Sequence, residues 1–284
     1  MIELKKVDYL PLLNQCWQDH LKKKAKDAPT FISTFSGCGG SSLGYSMAGY
    51  RELLAVEWDD NAVETFKLNF PGVPVYHGDI TKLTVKEILK MTGLKVGELD
   101  LLDGSPPCQG FSTAGKRQLD DPRNQLFREF TRILRGLKPK VFVMENVSGM
   151  VKGLMKFMFV EILEELRASG YDVSARLLNA MYFNVPQARQ RLIFIGVRND
   201  LKKKPSHPEA QSKPVTMKQA ASSFDTLVLG AHGSSKGAVY DANESPSPTI
   251  AASGLGSYDY GTFTSGFNTN KKQTNCNSTL PIYP

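Results

Sequence analysis

The chain has 284 residues, 41% of them apolar, and its 35 Lys and Arg outnumber 28 Asp and Glu for a net charge of +7. That size allows one large domain, or one domain plus an incomplete second, and no apolar run nears the roughly 20 residues needed to span a bilayer. Four scattered cysteines (Cys16, Cys38, Cys108, Cys276) and four scattered histidines signal neither a disulfide frame nor a zinc or other metal site. The basic balance suits a polyanion partner, and Met1 to Lys6 has no signal-peptide layout, which points to the cytoplasm.

Residues 1–29 are polar and basic, ending in Lys22-Lys23-Lys24-Ala25-Lys26. Leu10, Leu12, Leu13 and Trp17 are spaced to line one face of a leading helix, read as a solvated extension on the domain edge. From residue 30 strands and helices alternate. Phe31 to Phe35 predicts a first strand that ends at the turn Gly37-Cys38-Gly39-Gly40, and Ser41 to Ala48 the helix behind it. Leu53 to Glu57 predicts a second strand. Asp59 or Asp60 can cap a helix carrying Ala62, Val63, Phe66 and Phe70, before a short third strand at Val73 to Tyr76. Val85 to Met91 reads as a helix, Asp100 to Asp103 as a fourth strand, and Gln125 to Leu137 as a helix bearing Leu126, Phe130, Ile133 and Leu134. The run Lys140 to Met144 predicts a fifth strand buried on both faces. A helix over Leu154 to Ala168 and two closely spaced strands, Tyr171 to Leu178 and Leu192 to Val197, close the series.

This alternation over residues 30–199 predicts a doubly wound α/β fold, its sheet mostly parallel with an antiparallel edge strand. Ligands of such sheets bind at the carboxyl ends of strands. Beyond residue 199, Lys202-Lys203-Lys204-Pro205 reads as a linker, and residues 200–284 as a loop-rich, incomplete small domain.

The glycine turn, Glu57, Asp79, Cys108 and Glu145 all fall at strand ends. The glycine turn lets backbone approach a ligand closely, with Cys38 inside it as a small packing residue. The sixth position of a dinucleotide fingerprint is Ser42 here, which disfavours a nicotinamide enzyme. About twenty residues on, Glu57 can accept hydrogen bonds from a ribose diol, Trp58 can stack on an adenine, and Asp79 can accept from its amino group. Pro106-Pro107-Cys108-Gln109 follows a strand, and Glu145-Asn146-Val147 closes another. A thiolate and a carboxyl group so placed suit attack on a heteroaromatic ring, the thiolate adding to carbon while the carboxyl shares its proton with a ring nitrogen. Between Gly110 and Asn124 a basic, glycine-bearing loop offers Ser112, Lys116, Arg117 and Arg123 as phosphate contacts. In Gln187-Ala188-Arg189-Gln190-Arg191 alternate residues share a face, so two guanidiniums can bind a base carbonyl, a phosphate, or support the thiolate.

In order and type these segments resemble the motifs of the DNA cytosine-5 methyltransferases over residues 30–198. The resemblance implies a Rossmann-like methyltransferase fold, S-adenosylmethionine as cofactor and double-stranded DNA as partner. It implies that Cys108 adds to carbon 6 of a flipped-out cytosine while Glu145 bonds the ring nitrogen, so that carbon 5 takes the methyl group. By the same resemblance Phe35, Gly37, Gly39, Glu57, Trp58, Asp79, Ile80 and Pro107 line the cofactor pocket, with Cys38 and Gly40 in its turn. Arg191 would hold the cytosine carbonyl and Arg189 would lie near the thiol.

Ser245 to Ser253 resembles a segment in or beside the family's target-recognition region, but the later arginine-bearing motif and Gly-Asn-rich helix are not found. The resemblance therefore implies a truncated chain or one part of a split enzyme that works with a complementing C-terminal subunit, in the cytoplasm or nucleoid of a bacterial or phage system. Two other readings stay open: a non-catalytic subunit that binds cofactor or DNA, and a tRNA cytosine-5 methyltransferase, which shares these motifs.

Overall fold

Seven strands form one sheet in the computed structural model, which describes residues 8–107, 125–151, 155–220, 226–228, 239–241 and 246–248. The strands are β1 (Thr30–Thr34), β2 (Arg51–Glu57), β3 (Val75–His77), β4 (Leu101–Gly104), β5 (Val141–Val147), β6 (Tyr171–Asn179) and, after the two-residue β7 (Gln187–Ala188), β8 (Gln190–Arg198). Their order is β3-β2-β1-β4-β5-β8-β6. The first five run parallel, whereas β8 runs against both β5 and β6, so the antiparallel end of the sheet is built from β8 and the edge strand β6. Winding reverses between β1 and β4, and the crevice outside their carboxyl ends is the topological switch point where such folds bind ligands.

Alternation within β2 shows how the two faces are covered. Leu54 and Val56 belong to the large buried cluster that includes Ile88, Phe130, Ile133, Leu134, Ile162 and Leu166, from α4 (Val85–Thr92), α5 (Gln125–Leu137) and α6 (Met155–Ala168). Ala55 packs instead with Phe66, Phe70 and Leu43, from the region of α2 (Gly40–Met47) and α3 (Asp60–Asn69). Neighbouring residues of a strand face opposite ways, so the two helix sets cover opposite faces. Asp59 is the cap of α3, its Oδ1 accepting the Ala62 N–H at 2.9 Å.

Two expectations need correction. In β5 only Phe142, Met144 and Asn146 are buried, while Val141, Val143 and Glu145 are half-buried, so one face is closed and the other is partly open. In the leading helix α1 (Tyr9–Leu21), Leu10, Leu13 and Trp17 do not share a face with Leu12; they are exposed. The reason is His20, whose Nδ1 lies 2.9 Å from the Ser46 hydroxyl and whose ring meets Phe70 edge-on, turning Leu12 and Cys16 inward. Strand ends elsewhere shift by a few residues: β2 begins at Arg51 and β3 lies at Val75–His77.

Candidate active site

A cavity of about 290 Å³ opens beside the switch point, lined by Phe35, Val56, Glu57, Trp58, Gly78, Asp79, Ile80, Pro107 and Leu126. Six of these the sequence marks as cofactor contacts: Phe35, Glu57, Trp58, Asp79, Ile80 and Pro107. The turn residues Gly37, Cys38, Gly39 and Gly40 lie outside the lining, and Cys38 is exposed rather than the packing residue expected. Val56, Gly78 and Leu126 were not anticipated. The first two are backbone neighbours of marked residues, and Leu126 sits at the start of α5, where helical spacing alone reads as core.

Each wall has a local cause. Gly39 holds φ 94° against the face of Phe70, where a Cβ would collide with the ring, so only glycine makes this turn without strain. The turn is tied to β2 by Glu57, which is only 8% exposed. Its Oε2 accepts the Gly37 N–H at 2.7 Å, and its Oε1 accepts the Trp58 and Asp59 N–H groups at 2.8 and 3.0 Å. A carboxylate has about four acceptor positions, so three are spent on backbone and about one, on Oε2, is left for a ligand hydroxyl. Trp58, 75% exposed, forms the rim. Asp79 is exposed, and the Thr81 N–H that it accepts at 2.9 Å is the main cause holding its carboxyl below the ordinary range.

On the opposite wall β4 ends at Gly104, where a Cβ would run into Thr34 and Phe130. The Ser105 hydroxyl then donates to the Phe35 carbonyl at 3.3 Å, and Asn146 Nδ2 donates to the Pro106 carbonyl at 3.2 Å. These bonds tie the segment that enters Pro107 to both β1 and β5. Cys108, bonded to Pro107, lies outside the described residues, as do Ser112, Lys116, Arg117 and Arg123.

At the end of β5, Glu145 Oε1 meets Arg191 Nε at 2.6 Å. Register explains the pair: Arg191 lies opposite Val147 and Glu145 opposite Ile193, so the two side chains are diagonal on one face of the antiparallel ladder. Arg189 is half-buried; burial, then the charge of Arg191, lowers its pKa, and Glu145 opposes that shift. The expected single extended face for Gln187, Arg189 and Arg191 is interrupted, because β7 stops at Ala188 and β8 starts at Gln190. Ser247 and Pro248, from the Ser245 to Ser253 segment, pair in parallel with Gln187 and Ala188, which brings that segment beside the arginines. Among the described residues no group of three or more His, Cys, Asp or Glu could hold a metal ion, and no helix is long and apolar enough to cross a membrane.

A carboxylate with spare acceptor capacity, a second carboxylate at Asp79, an exposed indole on the rim and a largely apolar remainder fit the nucleoside part of a cofactor, and the volume is at the small end of ligand sites. Fold and site together define the class of S-adenosylmethionine-dependent methyltransferases. The chain belongs to the C-5 cytosine-specific DNA methylase family, whose profile matches residues 29–274. It is 44% identical over 176 residues to the type II methyltransferase M.AquIA of Picosynechococcus sp., covering 59% of this chain and 71% of that protein. It is 41% identical over 186 residues to M1.HphI of Haemophilus parahaemolyticus, covering 63% and 50%. Among solved structures, a prophage-encoded protein (E. coli) described as a DNA modification methyltransferase is similar at TM-score 0.60 and 31% identity, covering 72% of this chain and 59% of that one. DNMT2 of Spodoptera frugiperda is similar at TM-score 0.53 and 26% identity, with 67% and 59% covered. The matched part spans between 40% and 71% of the length of the first curated relatives.

Proposed function

We propose that this chain transfers a methyl group from S-adenosylmethionine to carbon 5 of cytosine in double-stranded DNA, with Cys108 as the nucleophile and Glu145 as the acid. The observation that carries this reading is the Glu145–Arg191 pair at 2.6 Å, at the strand ends beside a pocket walled by Pro107, the residue bonded to Cys108. The donor supplies an electrophilic methyl group on a sulfonium.

The chain's own residues do the rest. Glu57 would direct one acceptor position at a ribose hydroxyl, Trp58 would stack on the adenine, and Asp79 would accept from its amino group. Cys108, as thiolate, adds to carbon 6 of the extruded base, while the Glu145 carboxyl gives a proton to the ring nitrogen, so that the ring becomes an enamine nucleophilic at carbon 5. After methylation a base removes the carbon-5 proton, the electron pair re-forms the double bond to carbon 6, the Cys108 sulfur leaves as thiolate, and the ring nitrogen returns its proton to Glu145. Arg191 holds Glu145 in place and reaches the cytosine carbonyl, with Arg189 near the thiol. Extrusion is required because the ring faces are stacked in a duplex. Ser112, Lys116, Arg117 and Arg123 would contact phosphates of that duplex.

The test is transfer of tritium from methyl-labelled S-adenosylmethionine to cytosine in duplex DNA. The chain is assayed alone and mixed with a C-terminal fragment of a type II relative. Label at carbon 5 supports the reading, and label seen only with the fragment adds a complementing subunit to it. No label in either mixture, with DNA and cofactor both bound, overturns it.

A further inference from the structure

Behind the pocket lies a carboxylate that the reaction does not use. Asp103 is the third residue of β4, flanked by Ser33 of β1 and Val143 of β5, and is 6% exposed. Its Oδ2 accepts the Ser41 hydroxyl at 2.8 Å and its Oδ1 accepts the Tyr45 hydroxyl at 2.9 Å. Ser41 and Tyr45 stand four residues apart, on one face of α2, the helix that continues the glycine turn. Burial is the first cause that pushes Asp103 up to about 6, and the charge of Glu145 adds to it. Glu52 of β2 faces the same region and is raised in turn by burial and by Asp103. A buried carboxylate is costly unless donors hold it, so for packing alone an apolar residue here would serve better.

The geometry points to Asp103 as a positioning residue for the donor pocket, clamping α2 to β4 so that Phe35 and Pro107 keep their spacing. This rests on the proposed reading of that pocket as the S-adenosylmethionine site. α2 is eight residues long and reads Gly-Ser-Ser-Leu-Gly-Tyr-Ser-Met, with Leu43 and the Tyr45 ring as packed side chains. Two directional hydrogen bonds to one carboxylate add to that packing, setting both the height and the rotation of the helix on the strand. The turn before α2 carries Phe35, and the strand after Asp103 leads through Ser105, bonded to the Phe35 carbonyl, to Pro107. Neither Asp103, Ser41 nor Tyr45 lines the cavity.

The experiment is titration of the full chain and its variants with S-adenosylhomocysteine, well below each variant's unfolding temperature, at pH 5 to 8. Tyr45→Phe keeps the ring against Phe31 and Tyr50, so the fold is retained. It should weaken binding on the order of tenfold at pH 8. Adding Asp103→Asn should cost less than Asp103→Asn does alone, because only the Ser41 bond is then left to disturb. The unsubstituted chain should bind more weakly at pH 5 than at pH 8, and Asp103→Asn should flatten that difference. Unchanged affinity in Tyr45→Phe, or losses that simply add, would overturn the positioning role while leaving the pocket assignment intact. Failure of the unsubstituted chain to bind would overturn both.

Discussion

Glu57 and Trp58 are consecutive residues at the end of β2, yet the structure gives them opposite burdens. Trp58 is 75% exposed on the pocket rim. Trp58→Ala should therefore weaken S-adenosylhomocysteine binding by roughly 1–3 kcal/mol, if stacking on a base is a fair guide, and leave the melting temperature unchanged. Glu57 accepts three backbone N–H groups, so Glu57→Gln turns an amide donor towards at least one of them. Both stability and affinity should fall, stability by roughly 1–3 kcal/mol. Calorimetric titration beside thermal melts separates the two cases; a Trp58→Ala protein that melts early, or a Glu57→Gln protein that melts normally, contradicts this division. The sequence marked both residues through their spacing from the glycine turn. What it could not show is how much of Glu57's acceptor capacity the backbone takes, because that depends on where Gly37 ends up in space.

At the scale of elements, the glycine turn with α2 is the most constrained piece. Gly39→Ala forces an L residue to φ 94° and a methyl group into Phe70, at a cost of roughly 1–3 kcal/mol. A thermal melt should show a loss of roughly 2–4 °C for each kcal/mol; an unchanged melt would mean that the turn relaxes freely. Beneath α2, Glu52 is raised to about 7 and Asp103 to about 6, chiefly by burial, with Ser33 and Ser42 hydroxyls on Glu52 opposing its shift. Both folded values lie above the unfolded ones. Each group's contribution is thus complete below about pH 4 and is lost as pH rises through 6 to 7. The carboxyls that are lowered, such as Asp79 and Asp100, act in the opposite sense and below about pH 4, outside this window. Burial lowers His20 and His207, which oppose this change within the same window, so the comparison is between proteins: Glu52→Gln, neutral throughout, should lose less stability than the unsubstituted chain as pH rises from 5 to 8. Equal pH dependence in the two proteins would contradict the buried seam. Neither carboxylate stands out in the sequence, where Glu52 opens a strand and Asp103 closes one like any polar end residue.

For the whole molecule, the alternation of strands and helices was legible because each strand is a short apolar run bounded by turn residues. The placement of Glu57, Asp79 and Pro107 at or just past strand ends made much of the pocket's lining legible too. The rotation of α1 was not, since its facing depends on His20 finding Ser46 and Phe70 across the fold. Nor was the pairing of Ser247 and Pro248 with Gln187 and Ala188, a contact between segments about sixty residues apart that no local pattern encodes. That pairing brings a segment resembling the target-recognition region beside the stretch that leads into Arg189 and Arg191. The central claim, covalent attack by Cys108 on cytosine, has a direct measurement. The full chain, with S-adenosylmethionine and a C-terminal fragment of a type II relative, is incubated with duplex DNA carrying 5-fluorocytosine, whose fluorine cannot leave as a cation and so traps the methylated adduct. Mass spectrometry should find the DNA joined to the peptide containing Cys108, and no joining in Cys108→Ser. Bound DNA and cofactor with no covalent product, or a product that survives Cys108→Ser, would contradict the account.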